Sequence, residues 1–339
     1  MAMAQAGSAP GTRRGGGPRR IPPNLFSIPF GLAGLGQAWH AAHTVLGTPS
    51  AVQDAVYLLA AAVWLVVVAA YAAQGPRRML ADLRDPVLNP FSSLAAIIPM
   101  ILGAALAAYS FTAGRILVAI FLALTIALAG WLNGQWLTGG LKTDALHPGY
   151  YLPGVAGGLV GAGAAAQVHL HAVAEASFGI GIIGYLLLAS LLHTRLTVLL
   201  LPPPLVPTLA IELAAPAVAG VAYFALSGET VDFVAVALGG YAVLMAIAQL
   251  RFIPLYTRLS FAVGFWSFTF PYAAAATDAL LWLAATRPSG TRAYAVVLIA
   301  LITALIAGIG AKTVVAVARR QLLAPPPPAA APAAAQPDE

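Results

Sequence analysis

No cysteine occurs in the 339 residues of this chain, and only 8% of them are charged. The first absence removes disulfides, thiolate metal sites and cysteine nucleophiles together. The six histidines are scattered rather than held at ligand spacing, so no metal or haem cofactor is expected. The shortage of charge constrains more. With 60% hydrophobic residues and a mean hydropathy of +0.86, there is too little polar surface to cover a water-soluble globule of this size. The composition is that of an integral membrane protein. Residues 1–23 are rich in Gly, Pro and Arg and lack an apolar core or small-residue cleavage site, so they read as a disordered basic cytoplasmic arm. Residues 321–339 read as a disordered Pro/Ala-rich tail. The isoelectric point near 9.8 does not point to nucleic acid, because the basic residues sit at the ends of apolar spans.

Spans of about 20 residues cross the hydrocarbon layer. Ten are legible within residues 24–320, near 25–46, 52–73, 90–110, 115–137, 148–167, 172–193, 205–226, 231–250, 260–284 and 293–318. With the N-terminus inside, fourteen of the 17 Lys and Arg fall on that side, Lys142 among them. Only Arg115, Arg287 and Arg292 fall on the other. That bias places both termini in the cytoplasm of a multi-pass inner-membrane protein.

Proline is distributed by span number. Pro29 lies in the first span, Pro90 and Pro99 in the third, Pro148 and Pro153 in the fifth, Pro207 and Pro216 in the seventh and Pro271 in the ninth, while the even spans have none. Taking Pro29, Pro99, Pro153, Pro216 and Pro271, the separations are 70, 54, 63 and 55 residues, about one helical hairpin. A membrane proline deletes a backbone hydrogen bond and leaves a carbonyl that must meet protein or water rather than lipid. Five parallel hairpins arranged about the membrane normal, with the broken odd helices innermost, would therefore enclose a conduit of pseudo-five-fold symmetry. Prolines that merely start helices are the competing explanation for all but Pro99, Pro216 and Pro271. Gly154, Gly157, Gly158 and Gly161 share one face of the fifth span and fit either a lumen or close helix packing.

Ionisable groups inside the spans are few. Glu212 precedes Pro216 by one turn and Asp278 follows Pro271 by two, so both are candidate pore or coupling carboxylates, with interhelical packing as the alternative. His40 and His43 read as outer-interface residues, and Asp82 and Asp85 fall in a short basic loop. No Lys or Arg lies deep in an odd span, so an anion would pass a nearly neutral tube of Ala and Gly with a dry constriction. Phe265, Trp266, Phe268 and Phe270 precede Pro271; most fit helix packing, and Phe270, beside the kink, is the candidate gate.

Four stretches, IPFGLAGLGQAW (28–39), DPVLNPF (85–91), ELAAPAVAG (212–220) and FWSFTFPYAAAAT (265–277), resemble, in order, motifs of the tellurite-resistance and C4-dicarboxylate transporter family. TehA-like bacterial channels and plant slow-type anion channels are members of it. The resemblance runs over roughly residues 24–320. It implies ten helices with five kinked inner ones around a pore, a homotrimer with one pore per protomer, and a ninth-helix phenylalanine, here Phe270, as plug. Asp85 departs from the family, which often carries His there. The expected function is a gated channel for small monovalent anions such as chloride or nitrate. The alternative is a secondary transporter of sulfite, C4-dicarboxylates or tellurite-related oxyanions, proton coupled through Glu212 or Asp278. The expected partners are the lipid bilayer and these anions. A carboxylate substrate usually needs a cationic clamp, and none is legible. Motifs of membrane enzymes are equally missing, so enzyme activity is not expected.

Overall fold

The computed structural model describes residues 20–141 and 143–323; the readings of residues 1–19, Lys142 and 324–339 fall outside these. Every regular element among the described residues is helical. The helices are α1 (Ser27–Leu46), α2 (Ser50–Ala72), α3 (Pro76–Arg84), α4 (Asn89–Ser92), α5 (Leu94–Leu106), α6 (Phe111–Gln135), α7 (Gly157–Gln167), α8 (His171–Val198), α9 (Ile211–Ser227), α10 (Phe233–Tyr256), α11 (Thr269–Thr286) and α12 (Thr291–Ala318).

Among the described residues, seven helical stretches are long and apolar enough to cross a membrane: Ser50–Ala72, Asn89–Leu106, Phe111–Gly139, His171–Val198, Pro203–Ser227, Phe233–Tyr256 and Thr291–Ala318. The other three expected spans correspond to α1, α7 and α11, whose apolar runs are interrupted. Gln37, His40 and His43 occupy the second half of α1. The fifth span begins as a 3₁₀ turn and a π turn around Pro153, leaving α7 only 11 residues. The ninth winds as 3₁₀ helix over Val263–Phe268 before α11 begins.

Burial separates two kinds of helix. Only 17% of the apolar stretch is buried in α2, α8 and α10 and 28% in α6 and α12, against 67% for Asn89–Leu106 and 72% for Pro203–Ser227. The sparsely buried helices expose Leu, Val and Ile, among them Leu65, Ile183, Leu187 and Val243, as a lipid-facing surface requires. In α7, by contrast, every residue but Gln167 is buried. Contacts among the buried helices close on themselves: α1 packs on α11, α11 on α9, α9 on α7, α7 on α5, and α5 on α1. Four of the long outer helices lie across the seams, α2 on α1 and α5, α6 on α5 and α7, α8 on α7 and α9, and α12 on α11 and α1, while α10 packs along α9.

Three local features differ from the sequence expectation. Helix α10 runs beyond residue 250 and takes Pro254 into its last turn, where the lost bond concerns a single carbonyl near the helix end. The segment holding Asp82 is not a loop but the amphipathic helix α3, which exposes Arg77, Arg78 and Arg84 and buries Asp82 against Arg20. Pro271 does not sit in a helix interior. It is the third residue of α11, at the change from 3₁₀ to α winding, where its missing N–H is not needed; Pro99 and Pro216 are the interior prolines of the buried helices.

Candidate functional site

All five repeat prolines, Pro29, Pro99, Pro153, Pro216 and Pro271, are buried. Their segments supply the walls of three cavities that follow one another along the axis of the helix circuit. The first, about 30 Å³, lies at the end of the bundle where α1 begins and takes Phe30, Leu94, Tyr151, Val218 and Pro271 from the five segments in turn. The second, about 20 Å³, is bounded by Gln37, Ala104, Gly163, Val221 and Ala274. The third, about 480 Å³, opens at the opposite end among His40, Asp54, Tyr109 and Glu229. The second and third share Gln37, Ile101, Ala104, Gln167, Val221 and Thr277, so they meet edge to edge. Among the described residues, the walls of all three contain no Lys or Arg.

Between the first and second cavities stands Phe270, which lines both together with Leu159 and Val218. Its ring stacks on Phe30, with centroids 3.6 Å apart and planes inclined by 14°. The stack is possible because α1 carries glycine beneath it: a Cβ at Gly34 would lie 2.8 Å from the Phe270 ring. Phe30 and Gly34 were not singled out from the sequence. The available signal was the pairing of a phenylalanine with a first-turn proline in both helices, Phe30 after Pro29 and Phe270 before Pro271. The neighbouring aromatics serve packing. Phe268 meets Tyr256 at 4.7 Å, Phe265 meets Phe261 at 5.3 Å, and the Trp266 indole N–H donates to Thr313 Oγ1 at 2.9 Å.

Neither candidate carboxylate lines these cavities. Glu212 lies behind the first one, where Oε2 accepts a hydrogen bond from the Tyr151 hydroxyl at 3.2 Å and Oε1 has no partner among the described residues. Asp278 lies on the outward side of α11, in a crevice bordered by α10 and α12. The structure therefore brings Phe270 and Pro271 to the axis and keeps Glu212 and Asp278 apart, from it and from each other.

Loop 85–91 closes the same end of the bundle as the first cavity. Asp85 Oδ1 accepts from the backbone N–H groups of Val87 and Leu88 at 2.9 and 3.0 Å, an Asx turn that a carboxylate suits. His147, ahead of the fifth span, bonds the Val87 carbonyl through Nε2 at 3.2 Å, and the Tyr150 hydroxyl donates to the Pro86 carbonyl at 2.7 Å. Burial pushes the His147 imidazole down to about 4, the Val87 bond opposing this and the Arg195 charge adding to it. A histidine held neutral in the fold and free to protonate when unfolded supports stability above its ordinary value near 6.5, and that support is lost as pH falls through about 4. Thermal midpoints should thus fall between pH 6.5 and 4 more steeply in the wild type than in His147→Gln, by roughly 3 kcal/mol at the acid end. Parallel profiles would show that His147 does not protonate on unfolding.

The profile of the voltage-dependent anion channels matches residues 20–314. The chain belongs to that family. Within it, the chain is 28% identical to a tellurite resistance protein TehA homolog of Haemophilus influenzae over 266 residues, covering 77% of this chain and 81% of that protein. It is 30% identical to the guard cell S-type anion channel SLAC1 of Arabidopsis thaliana, over 52% of this chain but 32% of the plant protein. The S-type anion channel SLAH3 of the same plant is 27% identical over 54% of this chain and 29% of its own length. The chain thus aligns with about a third of the plant channels and most of the bacterial relative. As a member of this anion channel family, it is a multi-pass membrane protein in the anion-transport class.

Proposed function

We propose that this protein is a gated channel for small monovalent anions, of the chloride and nitrate class, with Phe270 as the plug of its conduit. The observation that carries this reading is the position of the Phe270 ring, which alone with Leu159 and Val218 borders both the first and the second cavity. An apolar constriction closed by one stacked pair gates by dewetting and needs no charged latch. Walls without Lys or Arg suit an anion that is passed rather than held. The plant relatives' names, S-type anion channel, support the same class.

In this reading the ten crossings form five parallel hairpins of pseudo-five-fold symmetry. Their proline-bearing helices, marked by Pro29, Pro99, Pro153, Pro216 and Pro271, surround the axis. Three protomers assemble with one conduit each. The Lys and Arg bias orients both termini, with the arm 1–23 and the tail 321–339, toward the cytoplasm of the inner membrane. The first cavity then faces the cytoplasm and the third faces outward. Glu212 and Asp278 have no place in the conduit.

Reversal potentials of the reconstituted protein under opposed chloride, nitrate and sulfite gradients test this. Shifts that follow chloride and nitrate, with no dependence on a proton gradient, are expected. One observation favours the transporter alternative: Glu212 bonds Tyr151, which borders the first cavity. Saturable, proton-driven uptake that disappears in Glu212→Gln would replace the channel reading with that one.

A further inference from the structure

Four of the five lipid-facing helices lie across a seam between two buried helices. Helix α10 is the exception. It packs along α9 but is held off α11 by two large side chains. Trp282 meets it at Gly239, where a Cβ would lie 2.9 Å from the indole ring, and the Tyr272 hydroxyl donates to Gln249 Oε1 at 3.2 Å. Between these pillars a crevice of about 1330 Å³ opens outward, walled by Val243, Ala246, Val297 and Leu301. Cavities that enclose small organic ligands are usually about 300–1,000 Å³, so this one has room for such a molecule with lipid at its rim.

The floor of the crevice is not apolar. Asp278 lines it, 5% exposed, and its Oδ1 has no hydrogen-bond partner among the described residues. The carboxyl fits there because Gly220 on α9 has no side chain; a Cβ at that position would collide with Oδ1. Asp278 is also eight residues short of the end of α11 at Thr286, roughly 12 Å inside the span. An unanswered carboxyl at that depth costs several kcal/mol.

We propose that this crevice binds a hydrophobic amine drawn from the bilayer, with its ammonium group against Asp278 and its apolar body along α10 and α12. A cation is what the lone carboxyl lacks, and a second copy of this chain does not bring one. On the described lipid-facing helices the basic side chains Arg115, Arg195, Arg251, Arg292 and Lys312 all lie toward helix ends. An amine crossing lipid in its neutral form accepts the carboxyl proton on its nitrogen and becomes the same ammonium–carboxylate pair as one arriving charged. A carboxylate amphiphile is repelled, and an alcohol supplies only a neutral hydrogen bond.

Binding of decylamine to the protein in lipid nanodiscs, with decanol and decanoate as comparators of equal chain length, tests the proposal. Decylamine should bind saturably and at least about tenfold more tightly than either, the scale of one charge-assisted bond. Asp278→Asn should erase that preference. Ala246→Phe, which fills the crevice and leaves the carboxyl in place, should weaken binding of all three; it carries the test if the Asn variant does not fold. Equal binding of the three amphiphiles, or an amine preference that survives Asp278→Asn, would overturn it. So would a neighbouring subunit in the crevice. A single Val297→Cys in this cysteine-free chain should react with a bilayer-permeant maleimide; protection together with cross-linking between subunits would show a second copy there instead.

Discussion

Phe270→Ala should raise the anion current of the reconstituted protein by at least about tenfold at fixed driving force, equivalent to removing about 1.4 kcal/mol of barrier. The ring lines both cavities, with Leu159 and Val218 as the other residues common to the two walls, and alanine removes all of it beyond Cβ. Phe30 then loses its stacking partner and is free to turn aside, so the opening should be wider than one ring's volume. Phe30→Ala should have the same sign and a smaller effect, because the Phe270 ring would still rest over Gly34. Both substitutions remove buried aromatic surface, so thermal midpoints should fall while current rises. That opposition separates loss of a plug from a general loosening, which would lower both. Single-channel recording and a thermal scan on the same preparations decide it. An unchanged current in Phe270→Ala, from protein whose wild type conducts, would remove Phe270 from the gate.

The membrane class and most helix positions were legible because composition and apolar run length report directly on the bilayer. Proline reported on burial for a related reason: the carbonyls freed near Pro99 and Pro216 cannot face lipid, and both residues are buried. Other features depended on contacts that spacing along one strand of sequence does not encode. Pro254 resembles a terminator by sequence but lies in the last turn of α10, where its ring costs the helix a single bond near its end. Helix α3 is short and rich in arginine, and it is fixed by the pairing of Asp82 with Arg20, more than 60 residues away. Phe270 could be named because it ends an aromatic cluster beside a proline, whereas Phe30, which adjoins Pro29, is matched to it only when α1 is laid against α11. Asp278 shows the limit most sharply. Its place on a proline-bearing span fitted a lumen, but the helical rotation that brings Phe270 to the axis turns Asp278, eight residues on, toward Gly220 and the crevice.

Gly158→Ala and Gly308→Ala should shift stability in opposite directions, although both exchange a helical glycine for the best helix former. At Gly158, α7 crosses α8 so closely that an added Cβ would stand 2.7 Å from the Gly181 nitrogen and 2.8 Å from the Ser177 carbonyl oxygen. These are backbone atoms that cannot rotate away. The return contact is equally tight, since a Cβ at Gly181 would lie 2.6 Å from Leu159 Cγ. The helices can accept alanine only by separating, and in a membrane van der Waals fit is much of what holds such a crossing together. The cost should be roughly 1–3 kcal/mol. Gly308, on α12, has nothing among the described residues within 4 Å of the added carbon, so the exchange there acts only through backbone freedom and should stabilise by roughly 0.5–1 kcal/mol. Thermal midpoints of the two variants in one lipid mixture give the comparison. Because α7 also carries the Leu159 wall of the conduit, Gly158→Ala should lower the fraction of conducting protein as well, while Gly308→Ala should leave current per folded protein unchanged. Destabilisation of similar size at both positions would mean that backbone proximity at the α7–α8 crossing is not what demands glycine there.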